Sequence, residues 1–586
     1  MAKVAPAPSI DALSGIDARM AALAKLEALT DDLDAQINRR KSDRYIRRAA
    51  KALRKGDIQA AGGAALRASE IDANNPKAFH ILGMYLERMG HMHKALVTYE
   101  RAFELDPNDP DLVLNLGMIA WKLKLRDGAA KMFRLFIAAL PDSPLGYNNL
   151  ASIMADMGET DLAIETLRAA IYRMPQEAIL WNALGTILAE GGRVEEGLVF
   201  YHEATRLDPG FARLYHNFGY AYQHLGRLPE ALEAYAEALS RAVDPFEILE
   251  TEHSRSICLI ALGQLEEGFK AHEVRRNEKF RGCVHHVLKA PYWSGEPIEG
   301  KRVLIVGEQG LGDELMFANT LPDIQRAVGP TGKLQIAVDE RLVSLFARSF
   351  PEAEVGTYDD RTLLDKDGNK ALRFIPFALN DGEPDYYAWI GSPLSWLRKR
   401  IEDFPHETFL TPDRARVEEF RDKLAGGGPG LKVGICWRSM KMDAKRSKYY
   451  TALDLWGPIL QTPGVRFINL QYGDCQKELV HAEDMHGVKI EVIEGLNLKD
   501  DIEGAAALSA AVDLMISAPT AAAAVAAGVG TETWFLTAGR AWPQLGTDHY
   551  PWYRKTAAFV PTKFGDWQGL IADVAEKLTA RRDAAA

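Results

Sequence analysis

The sequence predicts two architectures in series: an α-helical repeat superhelix followed by two α/β lobes built on parallel sheets. Three observations predict it. Small residues and prolines recur every 34 positions through the first half. Short β-branched runs alternate with helical patterns through the second half, with a glycine-rich break at Gly426–Gly430 between two such series. One run, Arg302–Val306, breaks into Gly307-Glu-Gln-Gly310-Leu-Gly312-Asp313-Glu314, a strand–glycine loop–helix pattern that sets Asp313 at the carboxyl edge of a sheet, where open α/β domains bind ligands.

The repeats begin near Ser42. Residues 1–41 read as a helical cap and residues 42–280 as the array. Gly56, Gly90, Gly158, Gly192 and Gly226 form one series, with Lys124 in the missing register. Gly83, Gly117, Gly185 and Gly219 form a second, with Ala151 at its gap. Ala61, Ala95, Ala129, Ala163, Gly197 and Ala231 form a third, and Pro107, Pro141, Pro175 and Pro209 close successive units. Small residues belong where paired helices touch, and proline ends a helix. These residues resemble the tetratricopeptide repeat, whose units bury their apolar faces only by stacking into a grooved superhelix.

Asn115, Asn149 and Asn217 share one place in the first helix of their repeats, with Ile81 and Ala183 interrupting the row. An Asn row can bond the backbone of an extended peptide whatever its sequence, and resembles the ladder of the protein O-GlcNAc transferases. Solvated surface asparagines are the competing reading. Either way, an open repeat groove is expected to hold a protein.

Residues 281–300 read as a connector, 301–425 as the first lobe and 431–586 as the second, with Gly426–Gly430 as the hinge. Strands are expected at Arg302–Val306, Lys333–Val338, Val433–Trp437, Arg466–Gln471, Lys489–Ile493, Asp513–Ser517 and Thr533–Leu536, and a helix at Glu340–Ser349. Pro384–Ala388 and Gly391–Arg400 read as loop-rich, and His285-His286 lacks the neighbours of a metal site.

GEQGLGDELMFANTLPDI resembles the first lobe of the heptosyltransferase-like superfamily. GICWRSMKMDAKRSKYY, PGVRFINLQYGD, DIEGAAALSAAVDLMISAPTAAAAVAAGVGTETWFL and YPWYRK follow that superfamily's second-lobe motif order. The resemblance implies a GT-B fold of two Rossmann-like lobes and metal-independent, inverting glycosyl transfer. A tetratricopeptide array joined to such lobes resembles the flagellin glycosyltransferases of flagellated alphaproteobacteria. That resemblance implies transfer of a nonulosonic acid such as pseudaminic acid, from a CMP donor, to Ser or Thr of flagellin, with flagellin bound by the repeats.

Such chemistry wants a base near the acceptor and cations or dipoles on the departing phosphate. Asp313 matches the superfamily's proposed base; the alternative is that it caps the following helix. Glu314 is expected to point elsewhere. Arg438, Lys441, Lys445, Arg446 and Lys448 cluster after a predicted strand, and Arg438, Lys445 and Arg446 are the expected donor-binding cations, a solvated basic loop being the bland alternative. Gly310, Gly312, Gln471, Tyr472, Pro519 and Thr520 complete the expected donor pocket, with the amides opening the Ala-rich helix meeting phosphate. The superfamily commonly shows Asp-Thr and then His-Leu-Ala where this chain has Pro519-Thr520 and Ala524-Val525-Ala526. That departure fits an altered donor or a catalytically dead lobe. The readings that compete with the enzyme are therefore a repeat scaffold with degenerate lobes, and a transferase acting on another protein or glycan.

Composition narrows the field. A net charge of −11 argues against general nucleic-acid binding. Four scattered cysteines (Cys258, Cys283, Cys436, Cys475) lack CxxC spacing and fit reduced thiols. The opening MAKVAPAPSIDALSG has no signal-peptide core, and no apolar run reaches the ~18 residues of a membrane span, so a cytoplasmic protein is expected. No cofactor is expected beyond the nucleotide-sugar substrate, and no metal.

Overall fold

The computed structural model describes residues 10–308, 310–365, 368–440, 442 and 446–584. It divides into two compact units, Met1–Met157 with Leu364–Asn369, and Gly158–Leu363 with Lys370–Ala586.

The first unit holds α1 (Ile10–Arg54), α2 (Ile58–Ile71), α3 (Pro76–Arg88), α4 (Met92–Leu105), α5 (Pro110–Lys122), α6 (Arg126–Ala139) and α7 (Pro144–Asp156). The expected cap and the first repeat helix are one helix, since no proline or glycine interrupts residues 16–54. Burial nonetheless starts where the repeats were expected to: Ser42 is buried and its hydroxyl donates to the Ala68 carbonyl at 3.0 Å. Asp109 caps α5, accepting from the amides of Asp111 and Leu112.

The small-residue series have separate causes. Gly90 sits at φ 75°, in the turn between α3 and α4, where a left-handed backbone closes the first helix. Lys124 holds the same register at φ 63° and bears the Cβ strain that glycine avoids. Lys124→Gly should therefore raise unfolding free energy by about 1 kcal/mol, read by urea titration. The second series answers to aromatic rings. A Cβ on Gly83 would lie 2.5 Å from the Tyr99 ring, and one on Gly117 would lie 2.7 Å from Phe133.

The second unit continues with α8 (Thr160–Arg173), α9 (Ala178–Glu190), α10 (Val194–Leu207), α11 (Ala212–His224), α12 (Leu228–Arg241), α13 (Pro245–Ala261) and α14 (Leu265–His272). The same fit recurs, Gly185 against Tyr201 at 2.6 Å and Gly219 against Tyr235 at 2.5 Å.

Two parallel sheets follow. The first lobe contains β1 (Val284–His286), β2 (Arg302–Val306), α15 (Leu311–Phe317), α16 (Leu321–Val328), β3 (Lys333–Val338), α17 (Val343–Ser349), β4 (Glu354–Thr357), β5 (Asp359–Asp365), β6 (Gly368–Phe374), β7 (Tyr386–Trp389) and α18 (Leu394–Leu397). Its main sheet is ordered β4-β3-β2-β7, all parallel. The stretch expected to be loop supplies β7, whose Ala388 and Trp389 are buried beside β2. Residues 281–300 are likewise more than a connector: β1 pairs with β6, and Trp293 is buried in the core. His286 serves that packing, accepting from Trp389 Nε1 at 2.9 Å, with burial holding its pKa down at about 3.

The second lobe contains α19 (Arg414–Ala425), β8 (Leu431–Cys436), α20 (Gly457–Leu460), β9 (Val465–Asn469), α21 (Gln476–His486), α22 (Ile502–Ala511), β10 (Leu514–Ser517), α23 (Ala521–Gly528), β11 (Thr533–Leu536), β12 (Thr556–Phe559) and α24 (Trp567–Asp583). Its order is β12-β11-β10-β8-β9, again parallel. Two expectations fail here. Lys489–Ile493 contributes one bridge, Ile468 to Glu491, rather than a strand. Gly426–Gly430 is a loop inside this lobe, because Val417, Phe420 and Leu424 of α19 pack with Ile468 and Leu470. Arg466 pins that loop through the carbonyls of Leu424 and Gly428.

The lobes share a core. Leu315, Met316 and Phe317 of α15 pack in one cluster with Ala523, Ala524 and Val525 of α23. A Cβ on Gly312 would lie 3.7 Å from the Ala521 backbone, so the starts of α15 and α23 nearly touch. No helix among the described residues is long and apolar enough to cross a membrane.

Candidate functional site

Each sheet has a topological switch point where the strand order reverses, between β2 and β7 in the first and between β8 and β10 in the second. Ligands of open α/β sheets bind outside the carboxyl ends at such points. In the second unit a cavity of about 680 Å³, within the size range of small-molecule sites, lies at the switch point of the second sheet. Its wall is built from α15, from the loops after β8, β9, β10 and β11, and from Gln223 and His224 of the repeat helix α11.

Asp313 lines this cavity. It occupies the first turn of α15, which starts at Leu311. Both sequence readings of Asp313 coexist in the geometry. Its Oδ2 accepts from the Gly310 amide at 3.3 Å, a long helix-capping bond, while the carboxylate also borders open space. Burial pushes its pKa up to about 6; the Gly310 amide opposes this and the charge of Glu308 adds to it. A carboxylate near pH 6 is poised to accept a proton. Glu314 turns away, accepting from Tyr358 Oη at 2.7 Å and the Asp339 amide at 3.0 Å.

Five of the expected residues meet at this cavity: Asp313, Gly312, Tyr472, Pro519 and Thr520. Others do not. Gln471 is a buried bracket, its Oε1 accepting from the amides of Trp437 and Arg438 and its Nε2 donating to the carbonyls of Arg438 and Tyr472. Arg438 is drawn off by Glu478, with Nε 2.8 Å from Oε1, and by the Asp474 carbonyl at 3.0 Å. It organises the loop after β8 instead of facing the cavity. Gly310 is the N-cap of α15. Arg446 opens the short turn Ser447–Tyr449, outside the cavity wall. Lys441 and Lys445 lie outside the described residues.

Sequence reasoning missed the cations that do line the cavity, Arg341, Lys499 and Arg540. Arg341 is held by Asp339 at 2.8 Å. The Lys499 ammonium and the Arg540 guanidinium, both exposed, have no ion pair or hydrogen bond among the described residues. The α23 N-terminus, capped by Thr520 without a side-chain bond, presents its first amides to the same space. Tyr550 is also in the wall, fully buried, with a hydroxyl that has no partner among the described residues. Its ring stacks on Phe535 at 3.9 Å between centroids.

The repeat helix α11 holds the loop after β8 in place. His224 Nδ1 lies 2.7 Å from the Tyr220 carbonyl, which only accepts, so Nδ1 carries the proton. Burial, with the Lys448 charge adding, lowers the His224 pKa to about 4. Its neutral Nε2 therefore accepts from the Tyr449 hydroxyl. Lys448 sits over the rings of Tyr220 and Tyr449.

The asparagines of the expected ladder are engaged inside the repeats. In the first unit, Asn115 Nδ2 is 2.9 Å from His80 Nε2, and Asn149 Nδ2 contacts Met118 Sδ. In the second, Asn217 Nδ2 donates to Asn182 Oδ1 at 2.9 Å and Thr186 Oγ1 at 3.2 Å. A peptide in the groove would compete with these bonds.

Family models for the tetratricopeptide repeat match residues 76–109, 149–210 and 211–243. The chain contains tetratricopeptide repeats. It is also 43% identical over 343 residues to Protein FlbA of Caulobacter vibrioides, covering 58% of this chain and 56% of that protein. The chain thus spans little more than half the length of that relative. Among solved structures, a thermophilic tetratricopeptide repeat protein of Thermus thermophilus is 24% identical, with a TM-score of 0.28, covering 32% of this chain and 99% of its own. A tetratricopeptide repeat protein of Parabacteroides merdae is 14% identical, with a TM-score of 0.36, covering 41% and 95%.

Proposed function

We propose that this chain is a protein O-glycosyltransferase with the GT-B arrangement. It transfers a nonulosonic acid of the pseudaminic type from a CMP donor to Ser or Thr of flagellin, which the repeats hold. The observation that carries the reading is Asp313, a half-buried carboxylate with its pKa raised to about 6 in a cavity at the switch point of the second parallel sheet. A relative whose name, FlbA, is of the flagellar type supports the biological setting.

In this reading the acceptor hydroxyl attacks the anomeric carbon from the face opposite CMP, and Asp313 takes the hydroxyl proton. The new carbon–oxygen bond forms as the bond to the CMP phosphate breaks, and the sugar inverts. The α23 amides, Arg540 and Lys499 receive the charge on the departing phosphate. Lys499 and Arg540 replace Arg438 as donor cations, since Glu478 already neutralises Arg438.

A non-catalytic scaffold is the second reading. It draws on the Arg438–Glu478 pair and on Pro519 and Ala524, which line the cavity where the resemblance leads one to expect Asp and His. Calorimetric titration of the full chain with CMP separates the two. Saturable one-to-one binding is expected. Arg540→Ala and Lys499→Ala each remove one charge-assisted hydrogen bond and should each weaken binding about tenfold. A chain that binds no nucleotide while retaining flagellin would be the scaffold.

A further inference from the structure

The second half of α1 concentrates positive charge in a chain that is acidic as a whole. Against a net charge of −11, residues 39–55 hold nine Lys and Arg and one acid, Asp43. Arg40, Arg44, Arg47, Arg48, Lys51 and Arg54 are exposed, and none has an ion pair or a side-chain hydrogen bond among the described residues. The next helices behave differently: Arg67 meets Glu70 at 2.8 Å and Arg101 meets Glu104 at 3.0 Å, each pair three residues apart. Like charges three and four residues apart repel one another, so this face of α1 is uncompensated. The opposite face holds the helix in place, with Ala49, Ile46 and Leu53 packed against Ala61 and Ala65 of α2.

At 3.6 residues per turn the six cations fall within an arc of about 120° over about 21 Å of helix. Followed back toward the N-terminus, the same arc holds Leu26, Leu29, Leu33 and Ile37, which are 41–68% exposed. No acid enters the arc between Arg19 and Lys55. Glu27, Asp31, Asp32 and Asp34 fall outside it, and Asp43 lies just beyond its edge. The helix therefore presents one stripe, apolar for about three turns and then basic for about four.

We propose that this stripe lies on an anionic phospholipid surface, with the cations among the phosphates and the four aliphatic side chains entering the acyl boundary. Charge complementarity sets the sign of the partner, since a face with six cations and no acid fits a negative surface. The aliphatic side chains on the same arc select the kind of surface. A bilayer is anionic at its headgroups and apolar just beneath, so it takes both sets from one straight helix. Arginine stems lie along the boundary while their guanidinium groups stay at the headgroups. A nucleic-acid backbone offers the leucines nothing. An acidic protein would need an apolar half and an acidic half in matching order along about 42 Å.

Co-sedimentation of the full chain with vesicles tests this. Phosphatidylcholine vesicles containing about 30% phosphatidylglycerol should bind the chain at about 50 mM NaCl, and phosphatidylcholine alone should not. Raising the salt to about 500 mM should weaken binding at least tenfold. Arg44→Gln/Arg48→Gln removes two charges and should weaken binding about thirtyfold. Leu29→Ser/Leu33→Ser should weaken it at least tenfold by removing the apolar contribution. All four positions are exposed, so thermal unfolding of the repeats should be unchanged in both variants. No sedimentation with the phosphatidylglycerol vesicles would overturn the proposal. So would equal binding to both kinds of vesicle, or undiminished binding by Arg44→Gln/Arg48→Gln. Undiminished binding by Leu29→Ser/Leu33→Ser would overturn it too, because a face that acts by charge alone fits an acidic protein. None of these outcomes depends on the transferase reading.

Discussion

Asp313→Asn should abolish glycosyl transfer and at the same time make the protein more stable near neutral pH. The two effects share one cause. Burial raises the Asp313 pKa to about 6 from an ordinary 3.8. A carboxylate whose pKa is raised by folding contributes stability that is fully present below about pH 4 and is lost as pH rises through about 6. At pH 7.5 the wild type therefore carries the whole cost of an ionised buried group, at most about 3 kcal/mol for a shift of this size. Asparagine removes that cost and can still accept from the Gly310 amide. Thermal unfolding should show Asp313→Asn above wild type at pH 7.5, with the gap closing by pH 4.5. On the activity side, only the ionised carboxylate accepts the hydroxyl proton. The logarithm of kcat/KM should accordingly rise with unit slope up to about pH 6 and then level. A flat profile from pH 5 to 8, or an asparagine variant less stable at pH 7.5, would remove Asp313 from the role of base.

Glu308→Ala should cost about 3 kcal/mol, because it takes the bidentate carboxylate from a buried guanidinium and leaves it Glu273 alone as a charged partner. Arg275 is 3% exposed and Glu308 2%. Arg275 Nε and Nη2 reach the two Glu308 oxygens at 2.8 and 3.0 Å, and Nη1 reaches Glu273 at 2.6 Å. Glu308 also accepts from the Gly391 amide at 2.8 Å. The pair joins the turn after α14 to the ends of β2 and β7, and so fixes the loop that carries Asp313 relative to the repeats. Denaturant unfolding should show the loss in Glu308→Ala, with much of it regained in Arg275→Met/Glu308→Leu, where neither charge is left unpaired. A single-variant loss below about 1 kcal/mol would mean that water reaches Arg275. A second consequence concerns the site, since Glu308 helps to raise the Asp313 pKa. In a folded Glu308→Gln variant the acid limb of the rate profile should move to lower pH.

The repeats were legible because each small residue answers a local demand that recurs. Gly90 closes a left-handed turn, Gly83 clears the Tyr99 ring, and the pattern repeats at 34. Strands β2, β3, β8, β9, β10 and β11 were legible as apolar runs, and Lys333–Val338 and Thr533–Leu536 fall where expected. Strand β7 was hidden by its neighbours Pro384 and Gly391, and only pairing with β2 defines it. Gly426–Gly430 carried the composition of a hinge, but α19 is recruited to the second sheet by Val417, Phe420 and Leu424, contacts that no local window contains.

In the site, the Gly312-Asp313 loop and the Pro519-Thr520 turn were readable because strand–loop–helix signals place them. Arg438 was misread because its partner Glu478 lies in α21, far along the chain from the loop after β8. Lys499 and Arg540 stand singly in the sequence and gave no cluster to notice. Nor does any pattern in the repeats say that Gln223 and His224 reach the cavity; that follows from where α11 meets the loop carrying Tyr449.

The central claim, that this chain glycosylates flagellin from a CMP-nonulosonate, is tested most directly by the intact mass of flagellin. The flagellin is co-expressed with the chain and a nonulosonic-acid pathway, beside an Asp313→Ala control. The account predicts mass increments of one nonulosonate each, all absent in the control although flagellin still binds. An unmodified flagellin that binds wild type and control alike would contradict it.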